Sequence, residues 1–365
     1  MRVLSLFLKD FRNYTDLRLE LGPEMNSIFG LNAQGKTNLL EALYILSLGR
    51  SFRTSRLTDA IRFGASHFFI EAVFSHKEVF HTLSIQVDKK GKKILFDGAP
   101  ITKLSELVGL FPVILFSIKD IAIIEGSPSE RRRFLDLLLA QASDKYTEHI
   151  SLYHKALDQR NASIKAQNQK AISAWNSPLI AYGSLVAFLR NECTKKLNTI
   201  FQTLWDNTLK ETLSLRYESS LITEESPTLN DIASNYYEQL RIANTKDLDL
   251  GYTMVGPHRD ELLLTINDLP VAKFSSEGQK HSLLAVLRFA ECVYLQEEFC
   301  IHPLLCMDDI HACLDQQRLD QLLQLSNSLG QVVTTSTICP DHRSTTSCIF
   351  HVTQAQVSLV APQSL

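Results

Sequence analysis

The sequence predicts an α/β fold: a mixed sheet with flanking helices and an antiparallel β subdomain, joined to a mainly helical second lobe. Three observations carry that reading. Gly30-Leu31-Asn32-Ala33-Gln34-Gly35-Lys36-Thr37 lies between an apolar stub, Ile28-Phe29, and a helix-like run from Asn38 to Leu43. From Glu261 onward, strand-like and helix-like stretches alternate, the pattern of a largely parallel sheet. Between these regions apolar residues recur at helical spacing through the middle of the chain.

Taken in order, residues 1–117 read as strand-rich around one strong helix. Phe68 to Phe74 alternates, Leu83-Ile85-Val87 alternates, and Ile94-Phe96 answers across Lys89-Lys90-Gly91-Lys92-Lys93, a hairpin whose lysines read as a solvated tip. After Val113-Ile114-Leu115-Phe116 the pattern turns helical. Ser127-Pro128-Ser129-Glu130 is a capping box with Pro at the first helical position, so a helix is expected from Arg131 to Gln141. Ile150, Tyr153 and Leu157 keep the spacing, and Leu179, Tyr182, Leu185, Leu189, Cys193, Leu197, Ile200 and Leu204 form the longest apolar stripe. Residues 118–245 are therefore expected as a helical lobe inserted into the first domain, with 246–365 completing that domain. Within this last part, strand is expected over Glu261–Phe274 with a turn at Asn267-Asp268. A helix is expected over Glu277–Phe299, a short strand over Leu304–Met307, a helix over Gln316–Leu325 and a strand at Gln331-Val332-Val333.

Bulk composition bounds the function. With 365 residues, 45% of them apolar, the chain can bury two cores. A net charge of -3 advertises no nucleic-acid partner, so any DNA contact must come from a local patch. The seven cysteines are an odd set with no Cys-x-x-Cys pair, which points to reduced thiols rather than zinc or disulfides. Arg2, Lys9, Asp10 and Arg12 interrupt any signal-peptide core, and the apolar stretch Val108–Phe116 is far too short to span a bilayer. A soluble cytoplasmic protein without a membrane partner is expected.

Residues 30–37 match the Gly-x-x-x-x-Gly-Lys-[Ser/Thr] phosphate loop. Its glycines let the backbone wrap an anion, and its amides and the helix N-terminus supply partial positive charge. Lys36 is expected on the β- and γ-phosphates and Thr37 on Mg²⁺. Leu304-Leu305-Cys306-Met307 then delivers two carboxylates, Asp308 and Asp309, at the end of a buried strand. Asp308 suits Mg²⁺, a hard cation that takes oxygen ligands, and Asp309 suits the carboxylate that orients attacking water. Lys36, Asp308 and Asp309 are thus the catalytic candidates. A third piece, Ser276-Glu277-Gly278-Gln279, opens a helix. Ser276, Gly278 and Gln279 there can face a γ-phosphate, although Ser275 or Ser276 could equally be a plain N-cap.

This order of loop, long insertion, Ser-x-Gly-Gln helix and Asp-Asp strand is the layout of ATP-binding-cassette heads, in which one subunit's serine motif completes the other's ATP site. The motifs Phe11-Arg12-Asn13-Tyr14, Gly49-Arg50-Ser51-Phe52-Arg53-Thr54, Gly126 to Asp136, Val255-Gly256-Pro257-His258-Arg259-Asp260 and Met307-Asp308-Asp309-Ile310 narrow it further. With them the chain resembles the RecF family of bacterial DNA replication and repair proteins, within the cassette/SMC superfamily. The resemblance implies ATP and Mg²⁺ as cofactors and a weak, DNA-stimulated ATPase. It implies an ATP-dependent homodimer on double-stranded DNA near single-strand gaps, with RecR as partner, RecO indirectly, and loading of RecA as outcome. Thr334-Thr335-Ser336-Thr337 stands where transporter heads place a switch histidine, so no switch residue is assigned. Two departures stand out: Ile118-Lys119-Asp120-Ile121 replaces the family's Pro-Glu-Asp-Leu, and Lys280 replaces the second Gln of Gly-Gln-Gln.

For DNA, clustered cations attract phosphates without reading bases. Lys9, Arg50, Arg53, Arg56, Arg131, Arg132 and Arg133 are the candidates, and Arg12 reads equally as a nucleotide contact. His258 and Arg259 could pair locally or touch ligand. A transporter ATPase is disfavoured by the length of the insertion, and a full SMC arm by the short helical stripe. Asp309 is shorter than the customary Glu, which leaves open a passive clamp in which ATP is bound and never hydrolysed.

Overall fold

A computed structural model describes residues 1–206, 211–309, 329–339 and 347–360. The helix expected over Gln316–Leu325, and Ile310 of the last motif, lie outside the described residues.

In chain order the elements begin with β1 (Arg2–Phe11), β2 (Tyr14–Glu20), β3 (Met25–Phe29), α1 (Lys36–Leu48), β4 (His67–His76), β5 (Val79–Asp88), β6 (Gly91–Phe96), β7 (Ala99–Ile101), α2 (Leu104–Leu107) and β8 (Val113–Phe116). The middle holds α3 (Ala122–Glu125), α4 (Pro128–Ala142), α5 (Asp144–Lys165), α6 (Gln169–Asp206), β9 (Leu213–Glu218), α7 (Leu229–Leu250), β10 (Glu261–Ile266), β11 (Leu269–Pro270) and α8 (Val271–Phe274). The chain continues through α9 (Glu277–Phe299), β12 (Leu304–Met307), β13 (Val332–Ser336), β14 (Cys348–Thr353) and β15 (Gln356–Val360).

One compact unit comprises Met1–Asp120 and Glu277–Leu365, the other Ile121–Ser276. The first holds two sheets. An antiparallel sheet runs β2-β1-β4-β5-β6-β7, and a second runs β15-β14-β3-β13-β12-β8. In the second sheet every pairing except β14 with β15 is parallel. The burial follows from that: β8, β12 and β13 are buried along their whole length, as strands covered on both faces must be. By contrast β4 alternates half-buried and buried residues, the signature of a sheet with one face on the core.

The second unit packs α4, α5, α6 and α7 beside the small sheet β11-β10-β9. Its first boundary falls close to the expected 118, but its second lies at Ser276 rather than at 245. Residue 245 sits inside α7, and β10 pairs antiparallel with β9 in the register Leu264↔Leu215, which keeps residues 246–276 with this lobe. The strand expected to continue to Phe274 ends at Ile266. Asn267 and Asp268 both take positive φ, 50° and 62°, and turn the chain into β11 and the short α8. By length and composition α6 could cross a membrane. Its Leu179, Val186, Leu197, Phe201 and Trp205 are nevertheless fully buried within the lobe, as in a core helix.

Candidate nucleotide site

The phosphate loop forms because its residues tolerate backbone that others do not. Gly30, Ala33 and Gly35 have φ of 154°, 64° and 118°. A side chain at Gly30 would run into the Val352 carbonyl, and one at Gly35 would lie 2.8 Å from both Asn13 Nδ2 and the Tyr14 hydroxyl. Around the turn, Asn13 Nδ2 donates to Gln34 O (3.0 Å), the Tyr14 hydroxyl to Gly35 O (3.2 Å), and the Gln354 amide to Gln34 Oε1 (2.6 Å). The loop is thus clamped from β1–β2 and β14–β15 before any ligand arrives.

Lys36 opens α1, is 7% exposed, and donates Nζ to Gly30 O (2.7 Å) and Leu31 O (2.9 Å). Burial lowers its pKa, while Asp309 and Asp308 pull the other way. At the end of β12, Asp308 Oδ1 accepts from Thr37 Oγ1 (2.9 Å) and Thr335 Oγ1 (2.7 Å). Thr335 Oγ1 in turn accepts the Asp309 amide (2.9 Å), which holds Asp309 at φ 51°. Parallel pairing of β12 with β13 at Met307↔Thr334 brings these three residues together.

These groups line a cavity of about 360 Å³. Of the residues the sequence singles out, Asn32, Ala33, Gly35, Lys36, Thr37, Asp308 and Asp309 line it. Gly30, Leu31 and Gln34 shape the loop without lining the cavity. Asn13, Asn38 and Thr335, to which the sequence gives no site role, line it as well, and so does Arg53, a DNA candidate in the sequence. Arg53 NH1 donates to Asn38 Oδ1 (2.5 Å) and Glu41 Oε2 (3.1 Å). Glu41 is fully buried and also accepts Arg12 through both oxygens (2.9 and 2.5 Å) and Ser51 Oγ (2.5 Å). The motifs around Arg12 and Arg53 are visible in the sequence, but their common carboxylate is not.

Gly278 and Gln279 open α9 in the same unit, yet neither lines the cavity. Ser276 closes the other unit. Of the remaining cations, Arg131 is engaged bidentately by Glu261 (2.7 and 2.9 Å), and Arg132 NH1 donates to Asp260 O (2.7 Å). Both therefore hold β10 to α4. Lys9, Arg56 and Arg133 are exposed. His258 pairs locally, with Nδ1 2.6 Å from the Tyr153 hydroxyl and Nε2 3.0 Å from Thr253 O. Arg259 stacks its guanidinium 5.0 Å from the Tyr252 ring centre.

The sequence profile described as RecF/RecN/SMC N terminal domain matches residues 2–357. Over 365 residues, the whole of both chains, the protein is 85% identical to the Chlamydia muridarum DNA replication and repair protein RecF. The chain belongs to the RecF family of ABC/SMC-type ATPases. A second RecF relative, from Chlamydia caviae, is 52% identical over 98% of each chain. A solved structure of the recombination mediator protein RecF with ATP, described as part of the RecFOR pathway, superposes with a TM-score of 0.91. It is 30% identical, covering 99% of this chain and 98% of its own. An SMC head bound to the C-winged helix domain of ScpA shares the fold at a TM-score of 0.57 and 17% identity, over 99% of this chain and 98% of its own. The head fold of this RecF-family chain thus agrees with the one the motif order implies.

Thr37 Oγ1 and Asp308 Oδ1 are hard oxygen donors placed side by side beside the phosphate loop. That donor set fits Mg²⁺.

Proposed function

We propose that this chain is an ATP-dependent DNA-binding protein of recombinational repair whose two copies close around ATP. The carrying observation is that the cavity contains the phosphate loop and the acidic strand end but not Gly278 or Gln279. A helix N-terminus that carries a serine suits a γ-phosphate. In this reading Ser276, Gly278 and Gln279 supply it from a second copy.

On ATP binding Lys36 would exchange the carbonyls of Gly30 and Leu31 for phosphate oxygens. Thr37 and Asp308 would hold Mg²⁺, which when bound neutralises charge on the phosphates. Asp309 would orient the attacking water, and the short reach of an aspartate makes slow turnover the expectation. Double-stranded DNA near a gap would stimulate that turnover, hydrolysis would release the dimer, and RecR, with RecO acting indirectly, would couple it to RecA loading. Lys9, Arg56 and Arg133 remain the exposed candidates for phosphate contact, and Arg50 is half-buried. The relatives' names, together with the loop and acidic strand, support this reading.

The shortness of Asp309 also favours a second reading, a clamp that binds ATP without hydrolysing it. Sedimentation of the Asp309→Asn variant with ATP and Mg²⁺ tests closure: a dimer is expected, and a monomer at saturating ATP overturns the proposal. Phosphate release that is no faster with duplex DNA than without would favour the clamp.

A further inference from the structure

Phe63 has 100% of its surface in solvent, the most exposed of the large apolar residues among those described. It is not on a loose loop. The Ala65 amide donates to Arg62 O (3.0 Å) and Gly64 takes φ 84°, so Arg62 to Ala65 form a tight turn with Phe63 at its tip. Arg62 pins that turn to β1, its amide donating to Asp10 O (2.9 Å) and its Nε to Asp10 Oδ1 (2.7 Å). Apart from its own chain neighbours, no residue comes within 4 Å of where a side chain at Gly64 would begin. A hydrogen-bonded turn therefore carries an aromatic side chain that lies wholly in solvent.

Next to the ring, Gly64, Ala65, Ser66 and His67 form one wall of a groove of about 440 Å³, and Gln86 and Asp88 to Lys90 form the other. Asp88 Oδ1 accepts the amides of Lys90 (2.7 Å) and Gly91 (3.0 Å), so its charge is held in the turn. Lys89 and Lys90 are exposed and make no ion pair among the described residues. Read alone, these lysines are a solvated hairpin tip. With Phe63 one residue from the groove's Gly64 wall they make a different surface: two lysines lining a groove, and a solvent-exposed aromatic side chain next to it in the chain. That pairing of cations with an aromatic platform suits a polyanion whose flat faces are unpaired, since a base stacks on the ring while phosphates meet the lysines. Duplex DNA offers the phosphates but keeps its bases stacked.

We infer that Phe63, with Lys89 and Lys90, is a contact for single-stranded DNA, the ring stacking on an unpaired base beside the duplex. The inference rests on the DNA-binding reading above and assigns to a specific side chain the recognition of the unpaired strand.

Binding of wild type, Phe63→Ala, Phe63→Leu and Phe63→Trp to a blunt duplex and to the same duplex carrying a gap of about 10 nucleotides, with ATP and Mg²⁺, tests it. Phe63→Ala and Phe63→Leu should weaken binding to gapped DNA by about tenfold, because one stacked base is lost. Their binding to blunt duplex should be unchanged, and Phe63→Trp should bind gapped DNA as wild type does, with its fluorescence quenched. Gapped-DNA binding by Phe63→Ala equal to wild type overturns the inference and leaves the ring to a protein partner or a second copy. Full retention by Phe63→Leu overturns it too, since stacking needs a ring. If wild type binds neither DNA, the proposed function falls with it; if wild type binds both and Phe63→Ala loses neither, only this inference falls.

Discussion

Thr335 donates its hydroxyl to Asp308 Oδ1 at 2.7 Å and receives the Asp309 amide on the same oxygen at 2.9 Å. One side chain from β13 thus sets both carboxylates at the end of β12. Thr335→Val keeps the shape and removes both bonds, replacing the acceptor of the Asp309 amide with a buried methyl. A stability loss of about 1–3 kcal/mol in denaturant unfolding is expected. Supporting partners of metal-binding groups typically matter by about 10- to 100-fold, so ATP turnover should fall by that order and need more Mg²⁺. Phosphate release measured across a Mg²⁺ titration checks it, and an unchanged Mg²⁺ midpoint would remove Thr335 from the site.

Glu41 carries a second buried junction. Its carboxylate is fully buried and receives Arg12, Arg53 and Ser51 from segments on both sides of α1. Removing Glu41 takes the carboxylate from Arg12, whose side chain is only 18% exposed, and the acceptor from buried Ser51, which costs about 1–3 kcal/mol. Glu41→Ala should therefore shift the denaturation midpoint far more than Arg53→Ala, whose side chain is 35% exposed. The Arg53 variant should instead weaken ATP binding, since Arg53 lines the cavity. Equal destabilisation by both would show that the cluster is not centred on Glu41.

In the helical lobe two neighbours titrate in opposite senses. Burial pushes the Asp260 carboxyl up to about 6, against the hydrogen bond from the Tyr217 hydroxyl at 2.5 Å, while burial lowers His258 to about 4. Asp260 binds its proton more tightly when folded, so its contribution is present below the ordinary carboxylate range and is lost as pH rises through about 6. His258 holds its proton less tightly when folded, so its contribution is present above the ordinary imidazole range and is lost as pH falls towards about 4. Between these values the slopes of these two groups oppose and nearly cancel. Asp260→Asn leaves His258 alone, and stability should then fall on acidification by up to about 1.4 kcal/mol per pH unit. Denaturant melts of variant and wild type at a series of pH values read the difference in slope directly; equal slopes would contradict the opposing pair.

How much of this was legible in the chain depends on sequence separation. The phosphate loop is contiguous, and its glycines announce positive φ that other residues avoid. The Asp308-Asp309 strand end is equally local, because an unbroken apolar run is what a strand buried on both faces requires. The lobe boundary was misplaced because it depends on β9 pairing with β10 across nearly fifty residues, a contact that no local pattern encodes. Arg131 and Arg132 look like a basic patch in sequence, yet Glu261 and the Asp260 carbonyl take them from far along the chain. Arg53 moved from DNA to the nucleotide cavity for the same reason: its partners Asn38 and Glu41 sit one helix back.

Lys36 separates binding from folding most cleanly. Its ammonium fits between the carbonyls of Gly30 and Leu31 at 2.7 and 2.9 Å, a narrow seat for a point charge. Lys36→Arg preserves the charge but brings a planar fork that this seat does not match. Because the loop is also held by Asn13, Tyr14 and Gln354, the fold should lose less than about 1 kcal/mol, the scale of one ordinary hydrogen bond. Loss of a charge-assisted contact to phosphate should raise the ATP Kd by about tenfold or more. Calorimetric titration with ATP and Mg²⁺ beside a denaturant melt distinguishes the two quantities. Wild-type ATP affinity in a normally folded Lys36→Arg would mean that Lys36 remains on the loop carbonyls when nucleotide binds.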